Sequence, residues 1–240
     1  TLNRPASLIQ VLRYFLEGET YPKFEIIVMD QSDPDFRLPA FFYSVDSRIR
    51  CFRRDYRNLS RACNEGVRLA LGEIIVFVDD DVKPSEGFLG AHAAAYRDSK
   101  VSGVTGPVLP TPRRLWGVSD IGEEQVRGLM AGRALMRFDV NFEYDAQWAF
   151  GCNMSFRKEV INQLGGFNEN FYGGVPVHLD FEFSFRLRKA GGIIRYIPSA
   201  GLIHFRIPEG GTRIRLPARE FIRRYVHNLN YCYSLCKVDI

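Results

Sequence analysis

Three carboxylates stand side by side at Asp79-Asp80-Asp81, directly after the apolar run Ile74-Ile75-Val76-Phe77-Val78. Like charges a few ångströms apart resist joint ionisation. A positive partner is therefore expected among them, and Mg2+ or Mn2+ is the simplest candidate for oxygen ligands. If extended geometry persists through the acids, alternation turns Asp79 and Asp81 to one side and Asp80 to the other. The outer pair then shares the cation, and Asp80 is structural or secondary. The plain alternative, a solvated acidic turn, is weakened by the buried strand just before it.

A second set is Leu179-Asp180-Phe181-Glu182 running on to Arg186 and Arg188. Helical positions two apart diverge by about 200°, so Asp180 and Glu182 cannot both face one pocket. Glu182 precedes Arg186 by four residues and is expected to pair with it. Asp180, in the first turn, is either a helix-dipole partner with a lowered pKa or a general base whose pKa neighbouring acids raise. Catalysis is the favoured reading. His204, taken alone, reads as a satisfied histidine, as do His92, His178 and His227, although His178 lies close to Asp180. Arg4, Arg61 and Arg213 are candidates to hold a diphosphate, each with a solvated surface cation as its alternative. Trp148 offers a face for a sugar ring or else packs in the core.

The elements that must position these residues follow from periodicity. Leu8, Val11, Leu12, Phe15 and Leu16 predict a helix ending near Gly18; Glu25 to Asp30 predicts a strand closing on further acids, and Arg48 to Arg53 a short one. A helix over Leu59 to Leu71 ends on Gly72 as a C′ glycine, and the strand before the three aspartates reads as an interior strand buried on both faces. A helix over Ser85 to Arg97 and a strand over Val101 to Leu109 follow. The stretch from Pro107 to Asp145 is irregular, and loops of that length tend to be functional. A strand over Gln147 to Phe156, helices over Arg157 to Leu164 and Leu179 to Ala190, and a strand over Ile193 to Ile197 come next. The tail from Ala218 is an amphipathic helix with Ala218, Phe221, Ile222, Tyr225, Leu229 and Cys232 on one face. This alternation predicts an α/β fold of one domain around a mostly parallel sheet flanked by helices, with ligands at the carboxyl ends of its strands.

The 240 residues carry a net charge of +4. That suits a phosphate-bearing ligand but, with no dense basic stripe, excludes a nucleic-acid footprint. Five scattered cysteines without paired spacing predict neither a disulfide framework nor a zinc site, and reduced thiols in a cytosolic compartment are the default expectation. No apolar run reaches transmembrane length. The basic amphipathic tail offers a peripheral contact with the inner face of a membrane, against the alternative of packing on its own domain.

In order along the chain, these residues resemble the inverting family 2 glycosyltransferases with the Rossmann-like GT-A fold. Thr1-Leu2-Asn3-Arg4-Pro5 looks like the turn after the family's first strand, and Asp30-Gln31-Ser32 like the acid closing its second. Leu59-Ser60-Arg61 through Asp79-Asp80-Asp81 is similar to its helix, strand and DxD signature. Gly151-Cys152-Asn153-Met154-Ser155-Phe156-Arg157 and Gly165-Gly166-Phe167 resemble its acceptor-side strand and helix. Asp180 matches the aspartate of its Glu-Asp pair, and His204 the histidine after its last strand. The resemblance implies a nucleotide diphosphate sugar as donor and a glycan or lipid-linked acceptor. It implies donor contacts from Asn3, Arg4, Asp30, Arg61, Asp79, Asp80 and Arg213, and a Mn2+ or Mg2+ ion at Asp81 and His204. Asp180 would be the base, with Trp148 and Asn153 on the acceptor side. Residues 1–109 would form the nucleotide-sugar half, 110–216 the acceptor half and 217–240 the tail.

Two departures stand out. Leu179 replaces the usual Glu, which puts the acceptor side in doubt. The family's first strand has no counterpart before Thr1, so the chain is expected to start late in the native protein and to continue past Ile240. Two other classes compete: a catalytically silent binding module on the same scaffold, and nucleotidyl transfer, which calls for a Gly-rich phosphate loop that the sequence does not show.

Overall fold

Pro5 opens the first helix, where its fixed φ suits the first turn, and Leu8, Val11, Leu12 and Phe15 form that helix's buried stripe. The structure, a computed structural model, describes residues 1–39, 44–109, 138–173, 178–211 and 216–236. Arg213 and most of the irregular stretch after Leu109 lie outside them. In chain order the first half runs α1 (Pro5–Gly18), β1 (Ile26–Asp30), β2 (Ile49–Arg53), α2 (Leu59–Leu69), β3 (Ile74–Val78), β4 (Val82–Pro84), α3 (Phe88–Ala95), β5 (Val101–Thr105) and β6 (Val108–Leu109). The second half runs β7 (Tyr144–Asp145), β8 (Asn153–Arg157), α4 (Lys158–Gln163), α5 (Leu179–Lys189), β9 (Ile193–Tyr196), β10 (Leu202–His204) and α6 (Ala218–Leu235).

The sheets are mixed, which corrects the expectation of a mostly parallel one. β1 and β2 pair in parallel; β3-β8-β5-β9-β7 form a second sheet and β4-β10-β6 a third. β8 runs antiparallel to both β3 and β5, while β5 and β9 are parallel. An apolar run reports burial but carries no sign of direction, so nothing in Met154 to Phe156 announces the reversal. β3 is correspondingly an edge of its sheet rather than an interior strand, and all five of its residues are half-buried. Both β3 and β1 line a cavity of about 820 Å3.

The main core lies between the five-stranded sheet and α5. Met154, Phe156, Phe183, Leu187, Ile194 and Tyr196 are buried there, and the Phe156 and Phe183 rings meet edge to face at 4.8 Å. α5 is further fixed by the expected pair: Arg186 binds the buried Glu182 at 2.6 Å and also donates to the carbonyls of Leu164 and Gly166. Asn58 caps α2 by accepting from the Arg61 amide at 2.9 Å. α2 stops at Leu69 without a left-handed glycine; Glu25 Oε1 instead accepts from the amides of Leu71 and Gly72. The tail helix divides its apolar residues. Cys232 and Asn228 are buried, Asn228 exchanging hydrogen bonds with the Tyr172 backbone, whereas Phe221, Ile222 and Tyr225 are exposed.

Gly106 sits where the link between β5 and β6 crosses the turn before β10, and a Cβ there would stand 2.0 Å from the Ala200 carbonyl oxygen. Gly106→Ala is expected to cost about 1–3 kcal/mol or more through overpacking, read as a lower midpoint in urea unfolding with an unchanged slope.

Candidate active site

β3 gives out at Asp79 and the chain resumes as β4 at Val82, so the three acids occupy one short turn. β10 pairs antiparallel with β4, and the register sets His204 opposite Val82. This register, rather than anything local, brings the imidazole beside the acids. His204 Nε2 lies 3.0 Å from Asp81 Oδ1 and 3.6 Å from Asp79 Oδ2. Asp79 and Asp81 thus share one side, as alternation predicts. Asp80 faces the other way, binding Arg4 at 3.0 Å and accepting from the Thr1 hydroxyl at 2.5 Å.

The electrostatics separate the two inner acids. Burial resists ionisation of Asp81, but His204, Arg4 and the Ile207 amide outweigh it and hold its carboxyl below the usual carboxylate range. Asp79 is pushed up to about 6 by desolvation and by the repulsion of Asp81 and Asp80, against the attraction of His204. A metal ion bound at this cluster must displace that proton. If Asp79 joins Asp81 and His204 on the ion, Mn2+ affinity should rise as pH climbs through about 6, checked by calorimetric titration across that range; a flat profile leaves Asp79 to the donor alone.

The Arg4 guanidinium is buried and spent on the protein: Nε donates to the Glu209 carbonyl and Nη2 to that of Ile207, both at 2.6 Å, while Nη1 meets Asp80 at 3.0 Å and Asp81 at 3.3 Å. These contacts make it an internal counter-charge to the two acids. Asn3, in the left-handed region at φ 58, ties to the turn after β1: it exchanges bonds with Asp33 and donates its amide to Ser32 Oγ. Asp30 closes β1, is 3% exposed and accepts from the Ser32 amide. Arg61 is half-exposed, its guanidinium 4.0 Å above the Tyr56 ring and 3.5 Å from Glu65.

Asp180 lies in the first turn of α5. Its Oδ2 accepts from the Gly151 amide and its Oδ1 from that of Phe181, each at 2.9 Å. Burial raises its pKa even so, overriding those two bonds and the nearby His178. Asp79, Asp80 and Asp180 all line the cavity, as do Phe150, Gly151 and Cys152. Trp148 is half-buried, packing on Phe181 at 5.6 Å and Phe138 at 6.3 Å. Asn153 departs from its expected acceptor-side place: it is wholly buried, its amide donating to the carbonyls of Pro107 and Ala200. His92 is the satisfied core histidine expected, bonded to Ser155 and Asn153 and lowered to about 4 by burial.

The residues fit a divalent cation. Asp81 Oδ1 is buried, and its near neighbour is His204 Nε2 at 3.0 Å, so a carboxylate oxygen and an imidazole nitrogen face each other as a donor pair that a cation would complete. Sequence reasoning passed over Cys152 and the Ile207 amide, which donates to Asp81 Oδ2 at 2.9 Å. No local pattern marks either.

Comparison with known proteins agrees with this layout. The family model for Glycosyl transferase family 2 matches residues 1–165. The glucosyl-dolichyl phosphate glucuronosyltransferase of Haloferax volcanii is 23% identical over 158 residues, 64% of this chain and 49% of that protein. The hyaluronan synthase of Pasteurella multocida is 25% identical over 233 residues, 85% of this chain and 24% of that protein. The chain thus spans about half or less of the length of these relatives. A mannosyltransferase from Pyrobaculum calidifontis, solved in complex with GDP-Man and Mn2+, superposes with a TM-score of 0.65 at 18% identity, covering 98% of this chain and 61% of that one. That likeness shows a shared fold.

Proposed function

The chain belongs to glycosyl transferase family 2, and from that membership we propose that it is a metal-dependent, inverting glycosyltransferase. It would move a sugar from a nucleotide diphosphate sugar to a hydroxyl of a glycan or lipid-linked acceptor. The observation that carries this is the cluster at the end of β3, where His204 Nε2 lies 3.0 Å from Asp81 Oδ1 and 3.6 Å from Asp79 Oδ2. Residues 1–109 would form the donor half, 110–216 the acceptor half and 217–240 the tail.

Asp81 and His204 would hold Mn2+ or Mg2+, which when bound neutralises the charge of a departing diphosphate. Asp30 and Asp79 would take the base and ribose of the donor. Asp180 would take the proton of the acceptor's hydroxyl group as the hydroxyl oxygen bonds to the anomeric carbon and the bond from that carbon to the diphosphate breaks on the opposite face, inverting the centre. Its raised pKa keeps it a competent base. Trp148 beside Phe181 offers an aromatic wall for the acceptor sugar. Titration with common nucleoside diphosphates in the presence of Mn2+ tests the donor site: saturable binding that Asp81→Asn abolishes supports it, and no binding to any of them sinks it.

The silent-module reading draws on Leu179, which is buried in the core, so the position before the base supplies no carboxylate. Donor binding without transfer or hydrolysis across an acceptor panel would favour it. Among the described residues no helix is long and apolar enough to cross a membrane. The exposed Phe221, Ile222, Tyr225 and Val226 of α6, next to Arg219 and Arg223, would rest on an anionic bilayer at the cytoplasmic face. Flotation with anionic but not neutral vesicles, lost in Phe221→Ser/Ile222→Ser, is the expected result.

A further inference from the structure

Cys152 enters none of the roles above. It is 2% exposed, and its Sγ, a carboxylate oxygen of Asp79 and a ring nitrogen of His204 all lie within 4.8 Å of one another. Sheet registers put them there. β8 pairs antiparallel with β3 so that Asn153 opposes Val78, which brings Cys152, in the turn just before β8, near Asp79 just after β3. The register of β10 on β4 delivers His204. The 3.6 Å between Asp79 Oδ2 and His204 Nε2 is close to the roughly 3.3 Å that separates two ligands about 2.0–2.1 Å from a tetrahedral ion.

Thiolate, imidazole and carboxylate together are a zinc donor set, and a poor one for Mg2+, which prefers oxygen ligands and octahedral geometry. We propose that Asp79, Cys152 and His204 form a thiolate-bearing site for Zn2+, with a fourth position open to water. On binding, the Cys152 S–H proton passes to solvent and a sulfur lone pair goes to the metal, with no change of oxidation state. The site shares His204 with the Asp81 pair. Zn2+ held there therefore excludes the transfer metal and stops the reaction; this consequence rests on the function proposed above, whereas the binding itself does not.

Co2+ serves as the spectroscopic probe, in the full chain carrying Cys232→Ser and Cys236→Ser, because Cys236 caps the C-terminus of α6 one turn beyond Cys232 and the two would take metal themselves. The expected result, without nucleotide, is a sulfur-to-cobalt charge-transfer band in the near ultraviolet that Zn2+ abolishes and a large excess of Mg2+ does not. Cys152→Ser and His204→Ala should each remove the band, and Cys63→Ser should keep it. Cadmium NMR of the chain with Cys152 intact gives a reading independent of how Cys152→Ser folds: a resonance in the sulfur-ligated range is expected, and one in the oxygen and nitrogen range overturns the proposal. Cobalt bound without the band, or a band that survives Cys152→Ser, overturns it as well. In donor hydrolysis at fixed Mn2+, the Zn2+ concentration that halves the rate should rise at least about tenfold in Cys152→Ser. Failure of the spectroscopic arm refutes the zinc site alone, whereas failure of nucleotide binding with Mn2+ refutes the transfer reading alone.

Discussion

Asp180→Asn is expected to keep nucleotide and Mn2+ binding while lowering kcat/KM for transfer by about 10²–10⁴-fold, the range that a positioned general base supplies. The substitution is nearly isosteric, so the wall of the cavity keeps its shape. What changes is the ability to take a proton. The carboxylate accepts from two amides, those of Gly151 and Phe181; the asparagine has one carbonyl oxygen, so one of these bonds is lost at about 1–3 kcal/mol. Part of that cost is offset. Because the folded state raises the pKa of Asp180 above the ordinary aspartate value of 3.8, the native protein binds the proton more tightly than the unfolded chain, and stability declines as pH rises from that value through the folded pKa. Asn removes this decline. The kcat/KM profile should therefore show an acid limb above the ordinary aspartate range, rising as Asp180 deprotonates. Full transfer by Asp180→Asn, or a donor affinity that falls in step with the rate, would refute the base assignment.

Which parts were legible in the sequence follows a physical rule. Carboxylates that interrupt apolar runs announce themselves, because the runs locate strands and the acids locate their ends; Asp30, Asp79 and Asp81 were readable for that reason. Glu182 and Arg186 were readable because their pairing is local, one helical turn apart. Strand direction was not readable, since Met154 to Phe156 would read alike in either sense. The short strands Val82–Pro84 and Leu202–His204 have too few residues to show a period, yet their mutual register is what sets His204 on the acids. Cys152 and Asn153 lie side by side in the sequence, but the thiol of one ends within 4.8 Å of Asp79 and His204 and the amide of the other is consumed by the carbonyls of Pro107 and Ala200. Such fates depend on partners dozens of residues away, which no window of sequence contains.

Arg4 is the sharpest case, and Arg4→Met should produce the largest loss of stability. The side chain is 8% exposed, between Asp80 at 12% and Asp81 at 1%. Met keeps much of the apolar stem and removes the charge, leaving two carboxylates without their internal cation. Removing one partner of a buried ion pair costs about 3–5 kcal/mol, which for a chain of this size lowers Tm by roughly 6–20 °C. Arg4→Lys should fall between, since an ammonium restores charge but not the planar fork that also reaches the carbonyls of Ile207 and Glu209. The acid side should change too. The folded state lowers the pKa of Asp81, so its contribution to stability is complete above the unfolded value and is lost as pH falls through the folded one; without Arg4 that loss begins at higher pH. Mn2+ discriminates between the roles. If Arg4 is an internal counter-charge, a cation bound to the now more negative cluster replaces it, and Mn2+ at about 100 times Kd should restore about 2.7 kcal/mol. A free diphosphate ligand would behave in the opposite way, its loss leaving Tm unchanged and weakening nucleotide binding instead.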